Sequence, residues 1–374
     1  MREDVRRLRE QRRLIVGFGP MSPNCTETLY RYSHEERQPL EAIASRRQVE
    51  CATLGRGYVN NWTPEQFGAQ CKSWTEKYPH SQVFICRDHG GPWQGDNEAG
   101  LGLEEAMQRA ATSYEADIDA GFHLLHIDPS LCKDGDMSMR AVLENSLKLM
   151  RHCEQYAKSK GREIEFEIGT EENSGSITTA ESFARLAGGI AQVCKKDSLR
   201  APLFIVGQTM SLVKEMRQIG EFNDKNTRLL IAEAEKHGLL LKEHNADYLT
   251  AYQLWQHKRS GVPALNVAPE LGVLETQTFL DFCMREKNAD TAEAFLRLSL
   301  ASGKWRKWVL NPDHVSDYDK AVMAGHYVFA KPEFADLRKR LDEKALDAAI
   351  CTALRARIAF YYQDEKGEKE KKAE

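Results

Sequence analysis

The sequence predicts an α/β protein, a (β/α)8 TIM barrel with a C-terminal helical extension. Three observations carry this. Eight short apolar runs alternate with segments of helical spacing. No G-x-G-x-x-G follows the first run, and polar residues stand at the C-terminal ends of nearly all of them. Continuous apolar runs of this kind suit strands buried on both faces, as parallel sheets require. In a closed barrel their C-terminal ends converge on one mouth, whereas an open doubly wound sheet spreads them along a crest. Periodicity alone does not separate the two, and the polar ends favour the barrel.

The runs are Leu14–Gly19, Gln48–Thr53, Gln82–His89, His123–Asp128, Ile164–Gly169, Leu203–Gln208, Leu239–His244 and Ala264–Ala268. Between them, Thr63-Pro-Glu opens a helix with an N-cap and a proline in the first turn. Apolar residues recur at three- and four-residue steps after Leu103 and again after Met139. The eighth helix should end near residue 287. Three helical stretches follow, Asp290–Leu300, Phe334–Leu341 and Ala345–Tyr362. We expect residues 1–287 to form the barrel, 288–362 a helical subdomain packed on it, and 363–374 a disordered charged tail. The basic stretch Arg2–Arg13 is expected to plug the bottom of the barrel or lie on its surface.

Composition narrows the function. With 52 Lys+Arg against 56 Asp+Glu the net charge is −4, which argues against a nucleic-acid binder or an anionic-membrane binder. No run of about 18 apolar residues is present, so no membrane span is expected. The N-terminus lacks the apolar region of a secretory signal. Nine cysteines, odd in number and without a C-x-x-C pair, fit reduced thiols in a cytoplasm better than a disulfide framework. No G-x-S-x-G, Walker A or H-E-x-x-H motif occurs.

The ends of the runs carry the candidate chemistry. Asp88-His89-Gly90-Gly91 reads either as a general acid/base beside a metal ligand or as a capping Asp and a packed His in a turn. His126 and Asp128 share a strand face, with Asp128 nearer the mouth. Glu165 and Glu167 share another, and two carboxylates in a buried strand need partners or a cation. Glu171 lies in the Gly/Ser loop that follows. Gln208 ends the sixth run, Glu243-His244 the seventh with Asn245 and Asp247 after it, and Asn266 and Glu270 flank the end of the eighth. His89 and His244, with carboxylate and amide oxygens, suit Zn2+, Mn2+, Co2+ or a similar divalent ion. The remaining histidines, His257 and His326 among them, read as surface residues.

At these residues the sequence resembles the non-catalytic (Z-type) subunits of class II D-tagatose-1,6-bisphosphate aldolase, once labelled tagatose-6-phosphate kinases. The matching pieces are Glu50, Gly57-Tyr58, Trp62-Thr63-Pro64, Asp88-His89-x-Gly-Pro92 and Ala120-Gly-Phe122. They continue with His126-Ile-Asp128-x-Ser130, Ile168-Gly-Thr-Glu171, Val206-x-Gln208, Glu243-His244-x-x-Asp247-Tyr248, Leu265-x-Val-x-Pro269 and Arg357-Ile-x-x-Tyr361-Tyr362. They run in order across almost the whole chain. The sequence departs from the family at Arg87, where relatives usually have glycine, at Thr209-Met210-Ser211 and at Ala268.

The resemblance implies a barrel related to metal-dependent class II aldolases. It also implies relatives that act alone as C4 epimerases on ketoses, ketose phosphates or sugar acids. On that basis His89 and His244 are expected metal ligands, with Gln208 and Glu167 or Glu171 completing the sphere. Asp88, Asp128 and Glu171 are the expected catalytic residues. Glu50, Arg87, Asn245, Asp247 and Asn266 are the expected substrate contacts, with Arg87 binding an anion or pairing with a neighbouring acid. The expected function is a metal-dependent carbohydrate aldolase or epimerase acting by retro-aldol C3–C4 chemistry. The alternative is a stabilising subunit of a catalytic aldolase. Self-association is a further expectation.

Overall fold

The computed structural model describes residues 1–131, 139–169, 178–209, 213–219 and 221–363. Its centre is a closed barrel of eight parallel strands: β1 (Ile15–Phe18), β2 (Leu40–Ser45), β3 (Val83–Gly90), β4 (Leu124–Ile127), β5 (Glu165–Ile168), β6 (Phe204–Val206), β7 (Leu240–Glu243) and β8 (Ala264–Val267). Each strand pairs with its sequence neighbours, and β1 closes the ring on β8 with Ile15 opposite Ala264. Helices follow the strands and form the outer layer, as the apolar runs and helix signals require.

One element sits elsewhere than expected. The second strand is Leu40–Ser45, and Gln48–Thr53 belongs to the turn and short 3-10 helix after it. The Gln48 side chain folds back to accept from the Ser45 N–H at 2.8 Å, which ends the strand. A strand with Glu41 in it reads poorly as a barrel core, yet Glu41 is fully buried and points inward.

The inward side chains stack in layers. Near the bottom, Ile15, Cys86, Leu124, Phe204, Leu240 and Ala264 pack with Val5 and Leu8 of the N-terminal helix Arg2–Glu10. That helix therefore closes the bottom of the barrel. Arg2 Nε holds Glu165 at 2.9 Å, so this carboxylate is neutralised at the floor and not at the mouth. Above it lies a charged layer, Glu41–Lys242–Glu167, and the histidines come next.

The long C-terminal helix Glu343–Tyr362 packs on the helices Pro23–Glu36 and Pro269–Arg285. Its buried Leu346, Ile350, Leu354 and Ile358 join the same apolar core as the barrel's outer face. Among the described residues no helix is long and apolar enough to cross a membrane. Glu171 and residues 364–374 lie outside the described residues.

Candidate functional site

The mouth is built from strand ends, and β3 shows how. Phe84, Cys86 and Asp88 alternate inward, so Ile85 and Arg87 face the helix layer. His89 should then point outward as well. It does not, because β3 shifts register against β4 between Arg87 and Gly90, and His89 takes a left-handed backbone with φ 40°. The bulge turns two consecutive side chains toward the mouth. The His89 N–H, freed from the ladder, donates to His126 Nδ1 at 3.0 Å.

His89, His126 and His244 converge there, each offering a nitrogen within 4.8 Å of the others. His89 Nδ1 lies 2.8 Å from Asp128 Oδ2, and His244 Nε2 lies 2.7 Å from Glu167 Oε1. If each of these nitrogens carries its proton toward the carboxylate, the inner pair, His89 Nε2 and His244 Nδ1, carry lone pairs. These face each other at 3.4 Å. Two lone pairs aimed at one point, each imidazole braced from behind by a carboxylate, fit a divalent cation. Burial outweighs the neighbouring carboxylates and lowers the His244 pKa, which keeps it neutral as a ligand must be. His126 completes the group in space and, among the described residues, keeps a buried Nε2 without a partner, although its Nδ1 already accepts the His89 N–H. The three histidines could hold a metal ion.

The carboxylates divide the work. Asp88 lines the cavity, and Asn266 Nδ2 stands 3.2 Å from its Oδ1. Burial opposes its ionisation, but His89, His126 and His244 outweigh that and hold it well below the usual carboxylate range. Asp128 accepts from Gln94 Nε2 at 2.8 Å and from the Ser130 N–H at 3.1 Å as well as facing His89. It orients His89 and does not line the cavity. Glu167 gives one oxygen to His244 and the other to Lys242 Nζ at 2.9 Å, so both are occupied within the protein. Lys242 also holds Glu41 at 2.5 Å. Burial alone would strip its proton, but Glu167 and Glu41 prevail and raise its pKa.

Two of the expected contacts, Arg87 and Glu50, lie away from the mouth. Arg87 is buried between barrel and helices, its Nε donating to Asp117 Oδ2 at 2.7 Å and its Nη1 to the Ala44 and Val49 carbonyls. Strand alternation puts it there. Glu50, in the turn after β2, is buried against Arg46 Nε at 2.6 Å, and Arg46 also pairs with Glu98. Gln208 is buried at the end of β6, where its backbone N–H meets Thr178 Oγ1 at 3.0 Å. Asn245, Asp247 and Asn266 do line the cavity. Asp247 Oδ1, however, accepts the N–H groups of Ala268 and Glu270, both at 2.9 Å, and so caps the helix after β8. His257, expected at the surface, is buried against Glu243.

The cavity encloses about 370 Å3 and reaches beyond the barrel. Lys307, Trp308, His326 and Tyr327 of the C-terminal segment line it, together with Lys214 from the small hairpin Val213–Lys214/Arg217–Gln218. His326 is therefore a buried cavity residue, not a surface one. These residues carry no spacing signal that ties them to the barrel. Lys242 did carry one, since alternation places it on the face of His244.

The closed parallel barrel and the three histidines gathered at its mouth define a (β/α)8 barrel protein with a candidate metal site. The chain belongs to the D-tagatose-1,6-bisphosphate aldolase subunit GatZ/KbaZ-like family, whose model matches residues 21–301. The D-tagatose-1,6-bisphosphate aldolase subunit GatZ of Klebsiella oxytoca is 26% identical over 214 residues, 52% of this chain and 50% of that protein. The chain thus aligns with about half the length of the curated relatives it matches. Among solved structures, a protein described as a probable tagatose 6 phosphate kinase from Sinorhizobium meliloti 1021 aligns at TM-score 0.71 and 19% identity, covering 94% of this chain and 99% of that one. The fructuronate-tagaturonate epimerase UxaE of Cohnella laeviribosi aligns at 0.62 and 14%, covering 93% and 81%. At these identities the structures share the fold.

Proposed function

We propose that the mouth binds a divalent cation on His89 and His244, with His126 beside them, and acts on a ketose, ketose phosphate or sugar acid by retro-aldol C3–C4 chemistry. The observation that supports this is the facing nitrogen pair with a carboxylate behind each ring. A bound divalent ion would supply Lewis-acid polarisation of the substrate's oxygens. Asp88 is the base in this reading: ionised, cavity-lining and held by Asn266, it takes the C4 hydroxyl proton. The C3–C4 bond then breaks, its electrons pass toward the C2 carbonyl, and C4 becomes an aldehyde. Re-addition to the other face returns the proton from Asp88 and gives the C4 epimer; release of the aldehyde would make the reaction an aldolase cleavage. Asp128 and Glu167 position the imidazoles. Lys242, kept protonated, is no Schiff-base nucleophile and instead keeps Glu167 ionised.

The relatives favour a second reading, in which the chain is a stabilising subunit of a catalytic tagatose-bisphosphate aldolase, since the curated matches are named as aldolase subunits. Metal content separates the two. About one divalent ion per purified chain, lost in both His89→Ala and His244→Ala, supports the catalytic reading and directs a ketose screen. A chain that is empty and refuses added Mn2+, Zn2+, Co2+ or Ni2+ sinks it. Co-purification with a class II aldolase then tests the subunit reading.

A further inference from the structure

The same cavity has a basic end. Lys307 places its ammonium over the rings of Trp308 and Tyr327, 4.6 and 5.1 Å from their centroids. Among the described residues no carboxylate lies within ion-pair distance of it. Lys214 Nζ is fixed beside it by the Lys307 carbonyl at 2.6 Å, and Arg47, which meets Asp96 at 3.6 Å, lines the cavity too. The cations feel one another: burial and then Lys307 lower the Lys214 pKa, and burial and then Arg47 lower that of Lys307, with Asp96 opposing. A bound anion would relieve that repulsion.

A second observation points to a ligand. His326 is 1% exposed, lines the cavity, and among the described residues has no hydrogen-bond partner on either ring nitrogen. Burial, then Lys307, pushes its pKa down to about 3, so it is neutral, with one donor and one acceptor to offer. A buried polar ring left wholly unpaired is costly unless something binds it. Gly272 makes room for it, since a Cβ there would lie 2.7 Å from the His326 ring.

We propose that Lys307, Lys214 and Arg47, with His326, form the subsite for an anionic group on the sugar, a phosphate or a carboxylate, in the cavity that holds the histidine cluster. This deepens the reading of the mouth as a sugar site and rests on it. A cavity of this size is at the small end of ligand pockets, which suits one monosaccharide. The anion contact expected at Arg87 is thereby moved to Lys214 and Arg47 within the family-matched 21–301 and to Lys307 and His326 beyond it.

The test is calorimetric titration of the full chain with a neutral ketohexose, a ketohexose 6-phosphate and a ketohexuronate, in wild type, Lys307→Met and Lys214→Met. At least one anionic sugar should bind about 10-fold or more tighter than the neutral one. That preference should shrink with added salt and in each variant, with neutral-sugar affinity, metal content and thermal midpoint unchanged. Whichever anionic sugar gains more names the group. Equal affinity for charged and neutral sugars in wild type, or a preference that survives in both variants, overturns the proposal. A metal-loaded chain without the preference overturns this subsite and spares the metal reading. A metal-free chain that keeps a Lys307-dependent preference does the reverse.

Discussion

Lys242 stands beneath the histidines with its side chain 1% exposed, between Glu41 at 2.5 Å and Glu167 at 2.9 Å. Replacing it with Met keeps the apolar stem and removes the charge. At an effective dielectric of ~20 the longer contact alone carries about 6 kcal/mol of gross attraction, and desolvation of the three groups offsets most of it. What the variant loses is the compensation: two carboxylates stay buried and face each other unneutralised. Breaking a buried pair in this way costs about 3–5 kcal/mol. Spread over 374 residues at ~2.1 cal/mol/K each, a loss of about 4 kcal/mol lowers the thermal midpoint by about 5 °C. Urea unfolding followed by circular dichroism measures the difference directly. Burial already raises the Glu41 pKa, so Glu41 takes a proton readily once Lys242 is gone. A raised carboxylate costs nothing below its unfolded pKa and destabilises progressively above it, so Lys242→Met should lose more stability at pH 8 than at pH 5. Glu41→Gln alone should cost no more than about 1 kcal/mol, because Lys242 keeps Glu167, and adding it to Lys242→Met should recover part of the loss. A Lys242→Met unfolding free energy within about 1 kcal/mol of wild type at pH 8 would refute the charged-layer account.

Other consequences are open to direct measurement. Borohydride added with a ketose should leave no mass adduct on Lys242, because its two carboxylates hold it protonated; an adduct there would contradict that assignment. Gly169→Ala sets a Cβ 2.1 Å from His126 Nε2, so it should weaken Mn2+ uptake in equilibrium dialysis by about 10-fold or more. Gly100→Ala, which meets open space, is the control, and equal uptake by both variants would remove His126 from the site. Glu275 is buried against Ser22, with Arg338 and Asp347 acting on it from a distance, and burial raises its pKa from 4.5 to about 7. Its contribution is fully present below about pH 4.5 and is lost as pH rises through 7, at most about 3 kcal/mol. Glu275→Gln should therefore lose less thermal midpoint than wild type between pH 5 and pH 8, and parallel curves for the two proteins would disprove the shift.

The fold was legible wherever a strand is apolar on both faces, as in Leu124–Ile127 or Phe204–Val206. It failed at β2, because Glu41 is tolerated there only through Lys242, a contact 201 residues away in sequence that no local pattern announces. At the site, simple alternation from Asp88 would turn the expected ligand His89 outward, and its direction toward the mouth depends on a register shift against β4. The same rule, applied to Arg87, would have placed it against the helices. Lys242 was within reach of that rule from His244. Lys307 and His326 were not, since their position depends on how the segments after the barrel fold back over its mouth.

The charged layer also bears on whether the barrel turns over a substrate. Apolar residues of similar volume at Glu41, Lys242 and Glu167 would give a core at least as stable, since desolvating three charges consumes most of what their attraction returns. Stability therefore offers no reason for the layer, and neither does support of a partner subunit, because Lys242 is out of reach of any outer surface. One local effect of the layer is to keep Glu167 ionised beside His244 Nε2; a proton held on that nitrogen leaves the Nδ1 lone pair facing His89. A binding site for a cation needs that lone pair directed and neutral. A scaffold needs neither, and on this ground the charged layer favours the proposed cation site over a purely supporting role.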